Sequence, residues 1–144
     1  MLTENELIKF RRELHSYPET GWCEFVTTHK IVEKLRSFGL DPIYGRQVIN
    51  PEFVAGRNPA KVEEAKKAAL DKGVPPEFIE SMQDYTGVAA IFETGRPGPV
   101  LAIRFDMDCV DVDEAHEAGH RPFDEGWAST NPGHCLLYTS PSPR

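Results

Sequence analysis

Apolar positions recur along the chain first with a helical period and later in short unbroken runs. Leu7, Phe10 and Leu14, with Ile8 beside them, make one stripe of a helix, and Arg11, Arg12 and Glu13 lie off it. Thr3 and Glu6 have the spacing of a capping box, in which hydroxyl and carboxylate each satisfy an amide at the helix start. Pro18 ends this helix, since proline has no N–H to continue it. A second helix is predicted from about Trp22 to Phe38, burying Phe25, Ile31, Val32, Leu35 and Phe38, with Gly39 as a left-handed C-cap. Asp41-Pro42 turns the chain into a short strand, Ile43 to Val48.

Residues 50–84 change character. Asn58-Pro59 reads as an N-cap followed by proline at the first helical position. Residues 60–72 are rich in Ala, Lys and Glu, Gly73 closes them, and Pro75-Pro76 opens a shorter helix through Met82. Large apolar residues are few in the first of these helices, so the pair reads as an insertion packed on the outside of the domain, or a lid. Tyr85 to Thr94 and Val100 to Phe105 read as strands. The linker Gly95-Arg96-Pro97-Gly98-Pro99 is short enough to make them an antiparallel hairpin. The last nine residues, 136–144 (LLYTSPSPR), are Ser/Pro-rich and follow no element signal. They resemble translated sequencing-adapter sequence and are expected to lie outside the native fold.

A chain of 144 residues, 40% hydrophobic, can bury the core of one domain. A formal charge of −7 argues against non-specific binding to nucleic acid or anionic membrane. No apolar run reaches the ~18 residues of a spanning helix, and the N-terminus lacks the pattern of a signal peptide. Cys23, Cys109 and Cys135 are odd in number and have no close pairing motif, which fits a reducing, cytoplasmic setting. Cys23 and Cys109 read as small buried hydrophobes.

Candidate chemistry concentrates where the run Val100–Phe105 meets Asp106 and Asp108. A buried strand ending in acids would deliver them to the rim of a sheet, where α/β folds bind ligands and metals. A carboxylate there could bind a divalent ion or orient a histidine that does. Between Asp106 and Glu125 there are eight acids and one arginine, Arg121. This is a long irregular loop, or one ordered by a cation. A calcium loop starting at Asp106 is excluded, because Asp111 stands where its glycine is required. His15, His29, His116, His120 and His134 are scattered, and His134-Cys135 lacks the rest of a closed zinc site. Asp-x-Asp also occurs in transferases, so a small transferase stays open on these residues alone.

Residues 11–27, RRELHSYPETGWCEFVT, resemble the opening signature of the M20 metallopeptidase/amidohydrolase family. Thr86-Gly87-Val88 through Arg104-Phe105-Asp106-Met107-Asp108 is similar to the family's second signature, which ends in R-x-D-M-D. The insertion at 50–84, His120-Arg121-Pro122 and Ala128 to Gly133 are similar to its aminobenzoyl-glutamate hydrolase branch. The resemblance covers about residues 5–135. It implies an α/β catalytic domain, a mixed sheet flanked by helices, of which residues 1–135 form the N-terminal part. It also implies hydrolysis of the amide bond of N-acyl or aminobenzoyl amino acids by a pair of divalent metals, zinc or manganese, in a homodimer or heteromer. Asp106 would be the acid that orients a metal ligand; His15, Glu19, Gly21 and Glu24 would be structural. The family's H-A-C-G-H-D-G-H motif would follow Cys135, where this sequence reads LLYTSPSPR. The chain is therefore expected to be truncated, to fold marginally, to hold no metal pair and to be inactive alone. A non-catalytic binding or regulatory module with an amidohydrolase-like half is the alternative.

Overall fold

The predicted capping box forms. Thr3 Oγ1 accepts the Glu6 N–H at 3.3 Å, the Glu6 carboxylate accepts the Thr3 N–H at 2.8 Å, and helix α1 spans Glu4–Ser16. The computed structural model describes residues 3–135, and the expectation for residues 136–144 falls outside them. Two units divide the described residues: 3–21 with 108–135, and 22–107.

The first unit is built from α1, a single-turn helix at Arg121–Asp124, and loops. The apolar stripe expected on α1 is only partly covered: Leu7 and Ile8 are exposed, and the buried residue of this helix is His15. Helix ends leave carbonyls without partners, and here a distant loop supplies them. The Thr130 N–H and hydroxyl donate to the Ser16 carbonyl at 2.9 and 2.7 Å, and Asn131 Nδ2 donates to the Pro18 carbonyl at 2.9 Å. Thr20 pairs with Cys109 in a parallel bridge, and Val110 pairs with Cys135 in an antiparallel one. Cys109–Val110 is thereby held between the residues after α1 and the end of the described chain.

The second unit has an apolar core. Helix α2, Phe25–Ser37, buries Phe25, Val26, Thr27, Thr28 and Val32. Its C-terminus forms as expected, with Gly39 at φ +77°, the conformation that glycine adopts without penalty. Phe38, expected on the buried face, is 47% exposed, because the helix ends at Ser37 and the face turns away. Asn58 caps helix α3, Pro59–Asp71, accepting N–H bonds from Ala60 and Lys61. Helix α4, Pro76–Ser81, follows. These two helices are not a peripheral addition to this unit. Val62, Ala69, Phe78, Ile79 and Met82 are buried, and α3 packs on α2. The small residues of α3 permit that close approach, which is why few large apolar positions suffice.

Strand β1, Ile43–Tyr44, pairs antiparallel with β2, Val88–Ala89, with Ile43 opposite Ala89 and Tyr44 opposite Val88. Gly45 then passes so near α4's end that a Cβ would lie 2.7 Å from Met82 backbone atoms. The predicted hairpin does not form: β2 stops at Ala89, no strand covers residues 100–105, and β2 takes β1 as its partner. Ile91, Phe92, Val100, Leu101, Ile103 and Phe105 are all more than 70% exposed. A strand needs both a ladder partner and a face to cover, and the described residues of this unit offer neither beyond Ala89.

Candidate functional site

Glu114 is the buried acid of the first unit. Its side chain is 4% exposed, a costly position for a carboxylate unless donors surround it. Three do. Oε1 lies 2.8 Å from His15 Nε2 and 2.9 Å from His120 Nε2, and Oε2 accepts the Ser129 N–H at 2.5 Å. Ser129 is itself buried, and its hydroxyl donates to the His134 carbonyl at 2.7 Å. The carboxylate so ties α1 to two separate loops. Trp127 packs edge-on to His15 with ring centres 5.0 Å apart, and the Arg12 guanidinium lies 5.1 Å from the Trp127 ring centre and pairs with Glu125 at 2.5 Å.

Burial pushes the Glu114 carboxyl up, but the bonds from Ser129, His120 and His15 outweigh it and hold the group below the usual carboxylate range. Burial, and then the negative charge of Glu114, push the Cys135 thiol up. The Cys109 thiol is pushed up to about 12 by burial and then by Asp111 and Asp108. All three cysteines are buried, and none of them forms a disulfide among the described residues. Among the described residues one group of donors suited to a metal ion converges: His15, Glu114 and Cys135, each offering an atom within 4.8 Å of the others. A cavity of about 320 Å³, lined by Glu114, Asp113, His116, Ser129 and Asn131, adjoins the carboxylate.

The acid singled out in the sequence is Asp106. Asp106 belongs to the second unit, is exposed, and pairs with Arg104 at 2.5 Å. The buried strand expected to deliver it is not formed. Asp108 is exposed as well, with Oδ2 3.7 Å from where a Cβ on Gly21 would be. Glu19 and Glu24 are buried; the Glu19 carbonyl accepts the Cys109 N–H at 2.8 Å, and Glu24 accepts from the Thr86 hydroxyl. Sequence reasoning passed over Glu114 and Ser129. Glu114 is one acid among eight in its segment, and its partners stand 99, 6 and 15 positions away. The available signal was the acid density itself, together with a histidine next to the last residue of α1.

Known proteins put this geometry in context. No family model matches the chain. It is 44% identical over 130 residues, 90% of its length, to a homolog of a p-aminobenzoyl-glutamate hydrolase subunit in Haemophilus influenzae. It is 39% identical over 130 residues to an indole-3-acetyl-aspartic acid hydrolase of Enterobacter agglomerans. The crystal structure of an aminobenzoyl-glutamate utilization protein from Klebsiella pneumoniae superimposes with a TM-score of 0.67 at 34% identity, covering 74% of this chain and 28% of that one. The α/β character of the described residues agrees with that neighbour. The chain spans 31% and 30% of the lengths of the two relatives. Over the 130 matched residues, it is similar to the aminobenzoyl-glutamate hydrolase relatives.

Proposed function

We propose that this chain supplies the N-terminal part of the catalytic domain of an amidohydrolase. Its reaction would be hydrolysis of the amide bond of N-acyl or aminobenzoyl amino acids such as aminobenzoyl-glutamate. The observation that carries the reading is the 44% identity over 130 residues to the Haemophilus relative. The names of both relatives share one chemistry, an acyl group joined through an amide to an acidic amino acid. The first of them is named as one subunit of its hydrolase, which supports assembly with other chains, as a heteromer or a homodimer of the family-length protein.

A pair of divalent metals, zinc or manganese, would activate water in the family-length enzyme. The described residues do not fit such a pair. His15, Glu114 and Cys135 provide three donors, enough for one ion. Asp106 sits in the other unit, on Arg104. In the family-length enzyme it would orient a metal ligand, and the 144-residue chain is expected to be inactive alone.

A chimera tests this. Residues 1–135 replace the matched region of the Haemophilus relative, and release of p-aminobenzoate from aminobenzoyl-glutamate is measured. Activity is expected, and Asp106→Asn in the chimera should lower kcat at least about tenfold. A folded chimera that leaves the substrate intact would refute the reading. Hydrolysis by the 144-residue chain alone would refute the expected inactivity.

A further inference from the structure

We draw no further inference here: the strongest candidate, the exposed apolar run beyond β2 that carries Ile91, Phe92, Leu101, Ile103 and Phe105, is a face for which nothing among the described residues shows what covers it.

Discussion

The two units of the chain solve the same problem with different materials. The second buries apolar side chains between helices, with Phe25, Val32, Val62, Ala69 and Met82 each less than 2% exposed. The first buries a carboxylate, two of its hydrogen-bond partners and a thiol, and closes its loops around them. An apolar core tolerates the loss of one contact in proportion to the volume removed. A buried charged hub does not, because each partner removed leaves another polar group stranded. The difference predicts where the chain is graded in its response and where it is brittle.

The largest effect should come from the apolar side. Phe25→Ala deletes a fully buried ring and should cost the second unit about 4 kcal/mol in denaturant unfolding. Amides of the first unit, such as that of Thr130, should keep their hydrogen-exchange protection. Glu114→Ala should do the reverse. Removing the acceptor of His15, His120 and the Ser129 N–H should cost about 3 kcal/mol, with protection lost at Thr130, Val110 and Cys109 and retained in α2. Loss of protection spread evenly over both units in either variant would erase the comparison.

Acid sharpens it. In metal-free chain, the Glu114 carboxyl sits below its ordinary range in the folded state, so its contribution is present above the unfolded value and is lost as pH falls through the folded one. The first unit should therefore loosen on acidification below the usual carboxylate range. Tryptophan fluorescence from Trp127 should report this, read in a Trp22→Phe background, and Glu114→Gln should flatten the dependence. A smaller effect isolates local from tertiary order. Thr3→Ala breaks the capping box and should cost about 1 kcal/mol, fraying the first turn of α1 without altering exchange in α2.

What could be read from the residues follows the same divide. Caps and stops are local, so Thr3 with Glu6, Gly39, and Asn58 with Pro59 were all legible and all formed. The strands were legible only as apolar runs. Val100 to Phe105 has strand-forming residues, but pairing depends on a partner that sequence periodicity does not name, and none of the described residues supplies one. β2 paired instead with β1, more than forty positions earlier. The small residues of α3 read as a sign of exposure and turned out to mark close packing on α2. At the candidate site, Asp106 was conspicuous because it ends an apolar run, and it is exposed. Glu114 was inconspicuous because what distinguishes it is its neighbours in space.

A double-mutant cycle between His15 and Glu114 bears most directly on the claim that one buried carboxylate organises the first unit. His15→Gln, Glu114→Gln and the double variant are unfolded in denaturant in metal-free buffer, and the coupling energy is taken from the four stabilities. The side chains lie 2.8 Å apart with 3% and 4% exposure, so a coupling of about 2 kcal/mol is predicted. Additivity within about 0.5 kcal/mol would contradict it.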